Sequence, residues 1–187
     1  MWGVTDSGWY RQLRERGATE VNFWQPSAGH PFKAISQGAP FLFKTHYRGT
    51  PPHRIVGIGF FSGWARLPVS QAWDFFGLNN GCQSLEEMRR RIAHYRRGPI
   101  TELDPQIGCS MLRDVSFLEP EASLPPPADW YSHIVSGKSY EVMPEVASPV
   151  EQVLLHLLAT SPLPGELSGS VDGPVCGRSA HQGANCG

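Results

Sequence analysis

Apolar positions along the chain follow two periods. Strand-like runs occur at EVNFWQP (20–26), PFLFKTH (40–46) and RIVGIGFFSGWARL (54–67). The last two flank YRGTPPH, a turn by composition, so they predict a β-hairpin. QIGCSMLRDVSFL (106–118) predicts another strand and KSYEVM (138–143) a short final one. The glycines at 57, 59 and 63 lack dinucleotide-fingerprint spacing, and no helix follows them at once. Inside a strand they mark a bend or a close backbone approach.

The second period is helical. In TDSGWYRQLRERG, Thr5 or Asp6 can cap, Trp9 and Leu13 share a face, and Gly17 fits the stop. LPVSQAWDFFG places Pro68 in the first turn and aligns Val69, Ala72, Trp73 and Phe76. SLEEMRRRIAHYRRG carries a capping box at Ser84 and Glu87, an apolar stripe at Leu85, Met88, Ile92 and Tyr95, and a stop at Gly98. SPVEQVLLHLLAT predicts a last helix capped by Ser148. The order α, β, β, β, α, α, β, β, α predicts an α+β fold: a small curved or barrel-like β-sheet flanked by helices.

Charge changes this picture more than composition does. Residues 1–100 carry 13 Lys+Arg against 6 Asp+Glu, and residues 101–187 carry 3 against 11. The near-neutral total hides a basic first half suited to an anionic polymer. The 40% hydrophobic content suffices for a core. No run of about 18 apolar residues suggests a membrane span, and the N-terminus lacks the pattern of a secretory signal. The expected compartment is the cytoplasm. Cys82, Cys109, Cys176 and Cys186 form no CxxC pair and read as free thiols.

Candidate chemistry points to binding. None of the seven histidines pairs with another His or a Cys at metal-ligand spacing, and GxSxG and HExxH are absent. No catalytic residue, metal or cofactor is expected. Asn22 and Trp24 share one strand face, while Val21, Phe23 and Gln25 share the other. An aromatic beside an amide is the lining a nucleobase uses: rings stack and amides read the edge. Arg89, Arg90, Arg91, Arg96 and Arg97 project from a helix whose stripe already accounts for its packing.

EVNFWQPS, PFLFKTH, IVGIGFFSGWARLPVSQAWDFFGLNNG, SLEEMRRRIAHYRR, IGCSML and PADWYSHIVSGKSYEV resemble an N-terminal domain found ahead of HNH nuclease modules in bacteria. Those proteins resemble modification-dependent (type IV) restriction endonucleases. The domain is similar to EVE and other PUA-like barrels, relatives of the ASCH, YTH and SRA readers. The resemblance implies a reader of duplex DNA that flips a 5-methyl- or 5-hydroxymethylcytosine into an aromatic pocket. The implied pocket comprises Asn22, Trp24, Gln25, Ser27, Phe61 and Trp64, with Trp24 stacking and Asn22, Gln25 or Ser27 reading an edge. The implied contacts to the nucleic-acid backbone are Lys44, Arg66, Asn79, Asn80, Arg89, Arg90, Arg96 and Arg97. An RNA-binding PUA-like domain and a small-molecule or nucleoside-binding domain are the alternatives.

One departure limits the resemblance. The family pattern continues into an HNH module with paired histidines and an asparagine, whereas this sequence runs to GRSAHQGANCG, which holds only His181. Endonuclease activity is therefore not implied for it. The expected organisation is a reading domain over 1–147, a helix over 148–161 and a disordered tail over 162–187. That tail is rich in Gly, Ser and Pro, with too little apolar surface to offset its ordering entropy. Truncation after Pro162 is expected to leave the thermal midpoint within about 5 °C of the full chain. Scanning calorimetry of both chains checks this, and a larger drop would place the tail in the fold.

Overall fold

The apolar runs at 20–26, 40–46, 54–67 and 106–118 and the four helical runs form the elements their periods predict, and one further strand lies where no period announced it. The computed structural model describes residues 1–27, 35–96, 102–126, 137–138 and 149–160. In chain order these form β1 (Trp2–Thr5), α1 (Ser7–Glu15), β2 (Val21–Gln25), β3 (Pro40–Thr45), β4 (Ile55–Pro68) and α2 (Val69–Phe76). There follow a 3-10 turn (Gly77–Asn80), α3 (Leu85–Arg96), β5 (Gln106–Phe117), a second 3-10 turn (Pro120–Ala122), β6 (Gly137–Lys138) and α4 (Pro149–Thr160). The tail from 162, Arg97 and the rest of the 138–143 run lie outside the described residues.

The strands make one mixed sheet in the order β2-β5-β4-β3-β1-β6. The β1–β3 pair is parallel and the other pairs are antiparallel. The predicted hairpin is β3–β4. The unannounced strand is β1: four residues are too few to display an alternation. It is nonetheless deep in the sheet, and a Cβ at Gly3 would come within 2.5 Å of the Phe41 ring and 2.8 Å of Phe23. Only glycine lets the strand approach that closely.

Three apolar clusters hold the helices to the sheet. Trp9, Tyr10 and Leu13 of α1 pack on Val21, Phe23, Phe41, Phe43, Phe61 and Leu112. Edge-on aromatic contacts recur there, with Trp9 and Phe23 centroids 5.5 Å apart. On another face Val69 and Ala72 of α2 and Met88 and Ile92 of α3 cover Ile107 and Cys109. Val153 of α4 is fully buried beside Trp2, Leu42, Ile55 and Ile58. The helix assigned to 148–161 thus docks on the sheet. No helix among the described residues is long and apolar enough to cross a membrane.

Caps form where the sequence placed them. Asp6 accepts from Trp9 N at 2.8 Å, and Gly17 closes α1 at φ 60. Ser84 Oγ accepts from Glu87 N at 3.1 Å. Glu87 returns to Gln83 N at 2.7 Å, one residue before the expected partner, and also holds Arg91 at 2.8 Å. In α2 Val69 and Ala72 of the predicted stripe are buried, with Trp73 half-buried against the same cluster and Phe76 half-buried, while Phe75, off the stripe, is 71% exposed.

Lys44, expected on the nucleic-acid backbone, is a correction. It sits in β3, which lies between β4 and β1. Phe41 and Phe43 of that strand enter one core and Leu42 another, so both faces are covered. Lys44 is 2% exposed and donates to Thr45 O at 2.9 Å. Burial lowers its pKa to about 8. An unfolded lysine titrates near about 10.4, so between the two values the unfolded chain binds more protons. This group's contribution therefore makes stability rise with pH across that window, and its penalty is fully present below pH 8. Lys44→Met is expected to remove this rise, and with it the wild-type deficit below pH 8. Urea midpoints of both proteins from pH 7 to about 10.5 test it. Parallel profiles would mean that Lys44 is not desolvated in the fold.

Candidate nucleic-acid interface

The strand that carries FWQ divides its residues between two faces, as alternation predicts, but with the roles of the faces exchanged. Asn22 and Trp24 point to the side covered by α2 and α3, while Val21, Phe23 and Gln25 point to the side shared with α1. Asn22 is fully buried, and its Nδ2 donates to Asn80 Oδ1 at 2.9 Å. Trp24 Nε1 donates to Asn80 O at 2.9 Å, and the indole packs beside Tyr95 at 6.3 Å. Asn80 Nδ2 in turn donates to Ala72 O at 3.1 Å and Gly77 O at 2.9 Å. Asn80 is thus a fully buried bracket between β2 and the end of α2, not a surface contact to nucleic acid. Trp24 and Asn22 complete that bracket, so the expected stacking platform belongs to a packing layer.

The other face gathers a different set. Gln25 pairs with Gly108, Phe23 with Ser110 and Val21 with Leu112 across β2–β5. On the far side of β5, Phe61 pairs with Leu112, Trp64 with Ser110 and Arg66 with Gly108. Phe61 and Trp64 are three residues apart, and strict alternation would put them on opposite faces. The register shift between Phe61 and Gly63 inserts one extra residue and brings both to the same side. Phe61 is buried in the inner core, and Trp64 lies further along towards the sheet end.

Gly108 forms the floor at that end. A Cβ there would lie 3.3 Å from Gln25 Oε1, 3.3 Å from Trp64 Nε1 and 3.5 Å from Ser27 O. Two acceptors and one donor therefore pack closely against Gly108, which only a residue without a side chain allows. Trp64 Nε1 is buried with no hydrogen-bond partner. One pair further in, Ser110 is fully buried and its Oγ also lacks a partner. Leaving a buried polar group unpaired costs about 1–3 kcal/mol. These two lie on one face of the sheet; Gln12 Oε1, Asn22 Oδ1 and His53 Nδ1 are likewise buried without a partner elsewhere among the described residues. Gly108 and Ser110 were not singled out in the sequence. Their signal was present, because 108 and 110 are small residues sharing one face of an otherwise apolar strand.

Arginines frame this end unequally. Arg96 donates to Pro26 O at 2.6 Å and Gln106 O at 2.5 Å, tying together the strand ends beside the Gln25–Gly108 pair. It is a strut. Arg91 is bound by Glu87, by Asp6 at 3.6 Å and by Gly81 O at 3.1 Å. Arg66 is exposed, and its register opposite Gly108 puts it at the site's rim. Arg90 is exposed on α3, and Arg89 is half-exposed, 3.9 Å from Asp104. Asp104 also accepts from Ser70 N at 2.9 Å and Ser70 Oγ at 2.5 Å, which fixes the approach to β5. Asn79 is half-buried in the 3-10 turn. Burial pushes the Cys82 and Cys109 thiols up to about 12 and 11, so both are neutral at physiological pH.

No protein-family model matches the chain, and no curated protein matches it. Among solved structures, a single-substitution variant of ASCH from Zymomonas mobilis is similar with a TM-score of 0.50 at 9% identity, over 75% of this chain and 89% of that one. ASCH from the same organism, without that substitution, gives 0.49 at 10% identity, over 85% and 93%. At such identities the likeness concerns backbone arrangement. A mixed sheet with flanking helices, superposing on an ASCH domain, makes this an α+β fold of the ASCH-like, PUA-like kind.

Proposed function

We propose that this chain is a DNA-binding module that reads a modified cytosine flipped out of the duplex, the targeting part of a modification-dependent endonuclease. The observation carrying this reading is the set of unpaired polar groups on the inner face beside Gly108: Trp64 Nε1 and Ser110 Oγ, with Gln25 Oε1 and Ser27 O adjoining. A cytosine edge offers an amino donor and ring acceptors. The two carbonyls suit the amino group, and the indole N–H or the serine hydroxyl suits the acceptors.

The indole wall and the aromatic core behind it supply an apolar surface for a ring. Arg66 at the rim, with Arg89 and Arg90 on α3, supplies charge for the phosphates on either side of a flipped nucleotide. Those contacts confer affinity for any duplex and a strong salt dependence, whereas the pocket confers discrimination. The likeness to an ASCH domain supports the reading at the level of fold. The motif resemblance running through FWQPS supports it at Gln25 and Ser27, both of which adjoin Gly108.

Fluorescence anisotropy with duplexes differing only in one cytosine, 5-methylcytosine or 5-hydroxymethylcytosine tests the proposal. The expected result is tighter binding of at least one modified duplex. Ser110→Ala should weaken that binding by about 1–3 kcal/mol, or roughly 5- to 150-fold, because the base loses a buried partner. The thermal midpoint should not fall, since the hydroxyl has no partner to lose in the free protein. Equal affinity for all three duplexes would sink the proposal. Preference for single-stranded RNA over every duplex would transfer the pocket to an RNA base.

A further inference from the structure

We infer that Arg48 in the β3–β4 turn, Arg11 on α1 and Arg90 on α3 form one cationic strip that holds the phosphate backbone of duplex DNA beyond the base-reading end. The strip depends on the proposal above only in taking its partner to be a nucleic acid. Its three arginines come from elements distant in sequence, and the start of α1 brings them together. Ser7 Oγ accepts from Thr50 N of the β3–β4 turn at 2.7 Å. Beside it, a Cβ at Gly8 would lie 2.7 Å from Arg91 Nη2 of α3, and Arg91 also reaches Asp6 at 3.6 Å. Arg11 is four residues after Ser7 and three after Gly8, so it stands on their face of the helix. Helical side chains lean towards the N-terminus, which carries Arg11 over both residues. Arg90 adjoins Arg91, with His94 one turn along the same flank of α3. The opposite flank holds Arg89 and Arg96, which face Asp104, Pro26 and Gln106 at the base-reading end.

Arg11, Arg48 and Arg90 are exposed, and none of them makes an ion pair among the described residues. Asp6 and Glu87, the acids between α1 and α3, both hold Arg91. Glu86, one turn before Arg90, and Glu15, one turn beyond Arg11, bound the strip. Other arginines are tied inward: Arg54 donates to Ser123 O at 2.6 Å, and Arg96 holds two strand-end carbonyls. α1 separates Arg48 from Arg90 by about a helix diameter, roughly 10–12 Å. That is more than one phosphate group bridges, and about three base-pair steps of duplex at about 3.4 Å each. The spacing therefore suits a polymer backbone better than a small anion.

The β3–β4 turn is braced before any partner arrives. Gly49 N and His53 N both donate to His46 O, at 2.8 and 3.1 Å. Thr45 Oγ1 accepts from Arg54 N at 3.0 Å and donates to Pro51 O at 2.5 Å. His46 Nδ1 accepts from Arg48 N at 3.2 Å, which leaves the ring proton on Nε2 as a further donor on an exposed side chain. Tyr47 between them is 60% exposed. Arginine and tyrosine both donate to phosphate oxygens. A turn held this way loses little freedom on binding.

The test measures the affinity of the full chain for unmodified and modified duplexes across a salt series. Arg11→Gln, Arg48→Gln and Arg90→Gln should each flatten the slope of log K against log salt by about 0.9, and the triple variant by about 2.7. At about 0.1 M salt the triple variant should bind every duplex roughly 10- to 500-fold more weakly. Its ratio of modified to unmodified affinity should stay at the wild-type value, and its thermal midpoint near wild type, because the three side chains are exposed. Arg113→Gln is the charge-matched control: Arg113 is paired with Asp114 on β5, away from the strip, and its loss should leave the slope near wild type. An unchanged slope in the triple variant, or an equal loss in Arg113→Gln, would overturn the strip. A loss confined to single-stranded DNA would overturn the assignment to a duplex. Wild-type affinity that is equal for modified and unmodified duplexes, with the slope still falling in the triple variant, would sink base reading and leave the strip standing. No binding to any duplex would overturn both.

Discussion

A strand of fourteen residues spans about 46 Å at 3.3 Å per residue, whereas a domain of about 150 residues has a radius of gyration near 15 Å and a diameter of about 38 Å. β4 is such a strand, and it is paired along most of its length with the twelve residues of β5. It cannot run straight and remain covered, so it has to bend. Its pairing with β5 shifts register between Ile58 and Phe60, where the extra residue is in β5, and between Phe61 and Gly63, where it is in β4. Everything else is arranged on this curved pair. β3 and then β1 extend it on one side, β2 on the other, and α1 fills the inner face. The second shift also aims Trp64 inward, so the device that shapes the sheet also builds the candidate site.

Polar residues on neighbouring strands have been put to opposite uses. On the face under α2 and α3, Asn22, Trp24 and Asn80 exchange hydrogen bonds until Asn80 spends its amide on three partners. That arrangement rigidifies a layer that apolar contacts alone would leave free to slide. On the inner face, Trp64 and Ser110 keep polar groups buried without partners. The contrast is physically informative because both sets are buried in the same sheet, some residues apart. The difference is one of degree, because Asn22 Oδ1 on the first face is also buried without a partner. Arg96 belongs with the first use: its guanidinium holds the carbonyls of Pro26 and Gln106, and so fixes the strand ends between which the second set lies.

Periodicity and capping chemistry determined much of this molecule before any tertiary contact was considered. The three long strands, the hairpin and the four helices are local properties, written in apolar spacing and in residues such as Asp6, Gly17 and Ser84 whose side chains or φ angles act within one turn. The segregation of Asn22 and Trp24 from Phe23 and Gln25 is equally local, since it follows from the pleat. Gln25 and Ser27 were also legible as candidates.

Which face meets which layer is not a local property. It depends on where α2 and α3 return after β4, and that return put Trp24 against Asn80 and Gln25 beside Trp64. Lys44 reads as a surface cation in its own segment; the arrival of β1 alongside β3 buries it. β1 itself is four residues long and is stabilised by partners far away in sequence, so no window contains its signal. Gly108 and Ser110 acquired meaning only when the bulge between Phe61 and Gly63 turned an indole towards them. Local sequence decides the state of each segment because the deciding interactions lie within a few residues. The site depends on the meeting of segments some eighty residues apart, and only the packed sheet specifies that meeting.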